Sequence, residues 1–241
     1  MDILKDQQFG VDAALTSNTS IKLDPLQDGL SSVELIRVSG SDVDIVNAAR
    51  VSFGKVVTEI TPKDEKLIRY LLRHQHTSPF EHNQLSFRIK APIFVVRQWM
   101  RHRMSSYNEI SYRYVNSALE FYLPNDWRYQ SEDNRQASSG AFKNDELLAK
   151  YKHLLAVAAQ TYHDLLAAGV CREQARGVLP LCTYTEFIYT CNLHAFMHFL
   201  HLRMGAGAQL EIKVFAQAML TLATPYFGVA LKEWHQMHLE E

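Results

Sequence analysis

The sequence predicts an α/β fold: a mixed, largely antiparallel sheet with helices packed on it, in a single domain. Three observations carry this. Short alternating stretches at 33–38 and 84–90 read as half-buried strands, and both lie in the first half of the chain. The second half has mostly helical periodicity. No internal repeat divides the 241 residues, a length that suits one large domain.

Residues 1–32 are rich in Asp, Gln, Ser and Thr without periodicity, and are expected to be a loosely held N-terminal arm ahead of a domain spanning 33–241. "VELIRV" (33–38) sets Val33, Leu35 and Arg37 against Glu34, Ile36 and Val38, with β-branched residues suited to a strand. "SDVDIVNAARVSF" opens on Ser41 as an N-cap and reads as a helix. "TPKDEKLIRYLLRHQ" has Thr61 as N-cap, Pro62 at the first helical position and acids in the first turn. Leu67, Tyr70, Leu71 and His74 are expected on its apolar face. "QLSFRIK" alternates Leu85, Phe87 and Ile89 against polar residues and is expected as a strand. After Pro92, "IFVVRQWM" reads as a helix that delivers a cluster of arginines.

Residues 128–144 are polar and aperiodic, a loop long enough to be mobile or functional. The stretch 145–168 places Leu148, Tyr151, Leu155, Tyr162 and Leu166 at helical spacing and closes on Gly169. "CREQARGVLP" is a short helix stopped by Pro180, and two further helices are expected near 186–203 and 208–223, the second breaking at Pro225.

Composition excludes several classes. Apolar residues make up 47%, charged residues 21%, and the net charge is −1. No global field draws this chain to nucleic acid or to an anionic membrane, so anion binding must be local. The three cysteines form no C-x-x-C pair, which argues against a disulfide framework or a cysteine zinc site. The start lacks a basic region followed by an apolar one, and no apolar run approaches bilayer length. A cytoplasmic protein, or the mature form of an organelle one, is expected.

One stretch departs from this even balance. "RHRMSSYNEISYRY" (101–114) gathers Arg101, His102, Arg103 and Arg113 around one acid, Glu109, among Ser105, Ser106, Tyr107, Ser111, Tyr112 and Tyr114. Arginine is a rigid, permanently charged fork suited to phosphate and to planar acceptors. Composition alone leaves two readings level: an anion site, or a solvated turn of paired charges. "HAFMHFLH" places His194 and His198 on one helix face, a spacing that can bind a metal, but no H-E-x-x-H is present and the aromatic and Met neighbours suit core packing. No metal is therefore expected. In "RHQHTSPFEH", His74, His76, Glu81 and His82 offer acid–base or metal chemistry, or simply a polar turn, since Pro79 interrupts any single helix face. There is no G-x-S-x-G elbow and no P-loop, and "GAGAQL" lacks the third glycine of a dinucleotide fingerprint.

Arg101-His102-Arg103, then seven residues, then Ser111 resembles the R-H-R-x7-S signature of flavin-dependent thymidylate synthases. "ARVSF", "HTSPFEH", "APIFVVRQWMRHR", "YNEISYRY", "REQARGVLP" and "LRMGAGAQLEI" look like that family's blocks, in its order, over roughly residues 33–225. The resemblance implies conversion of dUMP to dTMP, with methylenetetrahydrofolate as carbon donor and NADPH as reductant acting through FAD. It implies the family's α/β fold and a homotetramer with shared active sites; the near-neutral charge and the lack of a long apolar run add the expectation of no nucleic acid or membrane as partner.

Carried over residue by residue, the resemblance assigns Gln98, Arg101, Glu109, Ser111, Tyr112, Arg113, Arg176 and Arg203 to dUMP. Arg203 is the implied catalytic residue, facing the uracil and favouring its N3 anion, so that C5 becomes nucleophilic without a protein nucleophile. Ser111 is assigned to binding, as no base is evident beside it. Ser52, His76, Ser78, Glu81, Arg101, His102, Arg103, Glu109, Asn192, His194 and His198 fall at or near implied flavin positions. The chain departs from the pattern at Gly207, where the family usually has histidine, and at His194 and His198, where arginine and asparagine are common. All three departures fall on the flavin side. The alternative from composition is a nucleotide- or RNA-binding module without catalysis, which would show steep salt dependence and no response to dUMP.

Overall fold

A computed structural model describes residues 21–114, 118–132 and 137–238. In chain order the elements are β1 (Lys22–Leu23), β2 (Ser32–Ser39), α1 (Asp42–Arg50), a 3-10 turn (Val51–Phe53), α2 (Pro62–Arg73), α3 (Ser78–Glu81), β3 (Gln84–Pro92) and α4 (Ile93–Trp99). Then come β4 (Ser105–Glu109), β5 (Trp127–Gln130), β6 (Ser138–Phe142), α5 (Asp145–Ala167), α6 (Arg172–Ala175), β7 (Tyr184–Asn192), α7 (Leu193–Met204), α8 (Leu210–Ala223) and α9 (Gly228–His238). No helix among the described residues is long and apolar enough to cross a membrane.

A five-stranded sheet runs β1-β2-β3-β7-β4, with every neighbouring pair antiparallel. β3 and β4 both pair antiparallel to β7, on its two sides. They therefore run parallel to each other, and α4 is the crossover between them. This connection carries the arginine cluster across the sheet.

β7 corrects the helix expected from residue 186 onward. Phe187, Tyr189 and Cys191 are buried while Glu186 is exposed and Ile188 and Thr190 half-buried, the period-2 pattern of a strand. The strand runs straight into α7 with no Gly or Pro between them. The boundary is marked only by Asn192, whose Oδ1 accepts the Ala195 N–H at 2.8 Å as an N-cap.

The sheet's core is aromatic. Trp99 is fully buried against Phe199 (5.1 Å between centroids), Phe187 (5.4 Å) and Phe215 (5.6 Å), so α4, β7, α7 and α8 meet on one side chain. Each fully buried ring of this kind contributes roughly 1.5–3 kcal/mol through apolar burial. Gly40 at the end of β2 has φ +94°, and a Cβ there would meet Asn83 Oδ1 at 1.9 Å, so only glycine fits.

Other expectations change. The 128–144 loop contains the β5–β6 hairpin, held by the Tyr129–Phe142 stack (4.3 Å) and the Trp127–Tyr151 edge contact (5.8 Å). In α2 the buried stripe is Asp64, Ile68 and Leu71, with Leu67 half-buried and Tyr70 exposed. Arg50 reaches Asp64 at 2.5 Å and fixes which face turns inward. In α5 only Leu155 and Tyr162 are buried. The start of the N-terminal arm lies outside the described residues, but 21–32 is tied down: β1 pairs with β2, and Asp28 bonds the Tyr184 hydroxyl. Helix α9 has no counterpart among the expected elements. Asp42 caps it, accepting the Val229 and Ala230 N–H groups at 2.8 and 3.0 Å, and Glu233 binds Arg69 of α2 through two contacts at 2.5 and 2.6 Å.

Candidate active site

The site is built at the C-terminal end of α4. The Tyr107 hydroxyl lies 2.8 Å from the Trp99 carbonyl oxygen and 2.9 Å from that of His102, so its one proton can serve either, while the Trp99 carbonyl also accepts the His102 N–H at 2.9 Å. Burial pushes this phenol up to about 12, so it stays protonated. Tyr107 thus holds the turn that presents Arg101 and Arg103, both exposed.

Arg203, near the end of α7, enters this turn from the other side. Its Nε–H donates to His102 Nε2 at 3.0 Å and its Nη2 donates to the Gln98 carbonyl at 3.1 Å. Both acceptors are neutral. Burial, the Arg203 charge and His198 together lower His102 from the usual 6.5 to about 4. His102 is therefore an uncharged imidazole whose remaining proton sits on Nδ1. Burial, and then Arg101, also work against the charge on Arg203, but guanidinium stays protonated near neutral pH. Among the described residues no carboxylate pairs with Arg203, Arg101, Arg103 or Arg176.

A cleft of about 270 Å³ is lined by Glu109, Ser111, Tyr112, Arg176 and Thr185, with Ile93 and Leu179 as apolar wall. The lone acid of the arginine cluster, Glu109, accepts from Thr185 Oγ1 at 2.7 Å instead of binding an arginine. Ser111 Oγ accepts the Arg113 N–H at 3.3 Å, and no histidine or carboxylate among the described residues is bonded to it to take its proton. The Tyr112 hydroxyl donates to the Tyr184 carbonyl at 2.7 Å, which ties the segment to β7. Arg113 reaches Glu173 at 3.2 Å on the surface.

A second cleft of about 440 Å³ gathers His76, His194, His198 and His201 with Thr77, over a floor that includes Phe80, Met197 and Trp234. His102 connects Arg203 to this second cleft, its ring 6.0 Å from that of His198 and its Nε2 accepting from Arg203. Ser52 is exposed on the 3-10 turn, and Ser78 and Glu81 are exposed at the two ends of α3. Asn192 is occupied as the α7 cap. No group of three or more His, Cys, Asp or Glu among the described residues is arranged to hold a metal. Cys182 and Cys191 are buried, and burial raises both thiols, Cys191 to about 12, so neither offers a thiolate.

The family model described as "Thymidylate synthase complementing protein" matches residues 34–227. A flavin-dependent thymidylate synthase of Thermus thermophilus is 46% identical over 208 residues, covering 86% of this chain and 77% of the relative. Another from Thermotoga neapolitana is 46% identical over 187 residues, covering 78% and 82%. The chain belongs to the flavin-dependent thymidylate synthase family.

Among solved structures, a UMP/dUMP methylase, PolB, from Streptomyces cacaoi bound with 5-Br UMP shares this fold at a TM-score of 0.78. It is 36% identical, and the match covers 86% of this chain and 95% of that one. Four residues of these surroundings escape sequence reasoning: Thr185, which engages Glu109; Trp234, in the second cleft; and Gln209 and Glu211, which connect to Gln98. Gln209 and Glu211 lie inside the "LRMGAGAQLEI" block, where a polar pair opening an apolar helix is the available signal. Thr185 and Trp234 carry no local signal.

Proposed function

We propose that this chain converts dUMP to dTMP by reductive methylation, using methylenetetrahydrofolate as carbon donor and NADPH to reduce a bound FAD. The observation that carries the reading is Arg203: a half-buried guanidinium, braced by two neutral acceptors, with no acid among the described residues to neutralise it. A fixed cation of this kind stabilises negative charge developing on a bound ring, with little reorganisation. On uracil it favours the N3 anion, which makes C5 the nucleophile. The raised thiols and the unassisted Ser111 agree with a reaction that needs no protein nucleophile.

Binding divides between the two clefts. Arg176, exposed and without an acid partner among the described residues, suits the phosphate, and Arg101 on the α4 turn offers a second guanidinium. Glu109 and Ser111 offer acceptors and a hydroxyl to the sugar and base. The donor set of the second cleft fits a flavin. Its imidazoles and the Thr77 hydroxyl suit the hydrogen-bonding edges of a flat heteroaromatic group, and Phe80, Met197 and Trp234 suit its faces. His76, His194 and His198 would hold it, and when bound it supplies reducing equivalents drawn from NADPH.

A homotetramer completes this reading. It is supported by exposed apolar side chains beside Ser52, namely Val51, Phe53 and Val56 at 76, 77 and 82% exposure. The test is a visible absorption spectrum of the purified chain before and after adding FAD, followed by assay of dTMP. The reading predicts a flavin spectrum and dTMP only when dUMP, the folate and NADPH are all present. Tight dUMP binding with no dTMP under those conditions contradicts it.

A further inference from the structure

We propose that Glu211 is a positioning residue for the nucleotide site: acting through Gln209, it determines which end of the Gln98 side-chain amide is free to meet substrate. The inference rests on the dUMP reading, in which Gln98 belongs to the nucleotide site.

The chain of contacts is continuous. Glu211, in the first turn of α8, is 4% exposed and nearly saturated with donors. Arg128 Nη2 donates to its Oε1 and Oε2 at 2.8 and 3.0 Å, the Tyr122 hydroxyl donates to Oε1 at 3.1 Å, and Gln209 Nε2 donates to Oε2 at 2.7 Å. Gln209 Oε1 in turn accepts from Gln98 Nε2. The Gln98 main-chain carbonyl accepts from Arg203. Gln98 is thus held at both ends, by the catalytic cation and by this relay.

The polarity of the relay follows from its carboxylate. An amide side chain has a donor end and an acceptor end of nearly equal shape, and only its partners decide which points where. An ionised carboxylate accepts and cannot donate. Gln209 must therefore turn its NH2 to Glu211, which leaves its oxygen for Gln98. Gln98 must turn its own NH2 to that oxygen, which leaves Oε1 as the free end, an acceptor. Burial opposes the charge on Glu211, but the Arg128 and Gln209 hydrogen bonds outweigh it and keep the carboxyl below its usual range. Arg128 lies on β5, so the hairpin that the sequence showed only as a polar loop anchors the relay.

Replacing Glu211 by glutamine reverses the pattern at small steric cost. The new carbonyl oxygen is taken by Arg128 and Tyr122, so the new NH2 meets Gln209 donor to donor. Gln209 must flip, and Gln98 with it. A plain structural role, in which the Arg128–Glu211 pair only staples the hairpin to α8, predicts no dependence on Gln98.

The experiment is isothermal titration of dUMP into four full-length proteins: wild type, Glu211→Gln, Gln98→Ala and the double variant. Glu211→Gln should weaken dUMP about tenfold, the scale of one buried polar group left mispaired. The double variant should be no weaker than Gln98→Ala alone. Equal weakening by Glu211→Gln in both backgrounds, or none in the wild-type background, overturns the inference. Should Glu211→Gln not fold, Gln209→Met breaks the relay and leaves the Arg128–Glu211 pair in place. It should give the same tenfold loss, and unchanged affinity would overturn the inference equally. A wild-type chain that does not bind dUMP removes the functional reading itself, and this inference with it. Wild-type binding with indifferent variants removes only the inference.

Discussion

Arg203 donates its Nε–H to Nε2 of His102 at 3.0 Å, across 101 positions of sequence. The partner is an imidazole held neutral, where a carboxylate would have cancelled the charge. The pair therefore fixes the guanidinium in place while leaving its charge for a ligand. Arg203→Lys tests whether the fork matters as well as the charge. Lysine cannot make both contacts in this geometry, so turnover should fall by about 100-fold or more, with the circular dichroism spectrum unchanged.

His102 gives a signed pH dependence. The unfolded chain protonates it near 6.5 and the folded chain only near 4. Between those values the unfolded state binds a proton that the folded state lacks, so stability falls as pH drops from about 6.5 to about 4 and then levels off. The full contribution is roughly 3 kcal/mol. His102→Gln keeps an acceptor for Arg203 and removes the titration. Denaturant unfolding at pH 7 and pH 5 should show a smaller loss in the variant, whereas equal acid sensitivity counts against this assignment.

Trp99 joins the core to the site, since Gln98 and the arginine turn flank it. Its indole N–H has no hydrogen-bond partner among the described residues. Trp99→Phe therefore loses volume only and should cost about 1–2 kcal/mol, while Trp99→Ala should cost about 3–5 kcal/mol. Unfolding midpoints for the two variants check the difference.

The second cleft is separable from the first. His198→Ala, at an exposed position, should lower FAD retention on purification several-fold and leave dUMP affinity within a factor of about two. Flavin absorbance and dUMP titration on one preparation read both. Gly207, where the family pattern usually has histidine, has open space around its Cα. Gly207→His should leave the unfolding midpoint within about 2 °C.

Local chemistry is readable where a single element produces it. Thr61 and Pro62 open α2, Gly169 closes α5, and the alternation of Leu85, Phe87 and Ile89 marks β3. β7 reads as helix because it passes into α7 without a breaker, and both are apolar. The β5–β6 hairpin is hidden because its stabilising contacts are a few aromatic pairs in a polar stretch. The site divides the same way. The cluster from Arg101 to Arg113 stands out by composition, which leaves an anion site level with a solvated turn, but the pairing of Arg203 with His102, and of Glu109 with Thr185, exists only after the sheet brings distant segments together. Glu211 and Gln209 need the fold to show which way the amides point.

The central claim is that the uncompensated charge of Arg203 drives the reaction, and one comparison tests it most directly. dTMP formation is measured for wild type and Arg203→Ala with dUMP, methylenetetrahydrofolate, NADPH and FAD supplied, alongside the circular dichroism and flavin spectra of both proteins. The account predicts dTMP from wild type and none from Arg203→Ala, with both spectra unchanged. Near-normal dTMP formation by a folded, flavin-loaded Arg203→Ala contradicts it.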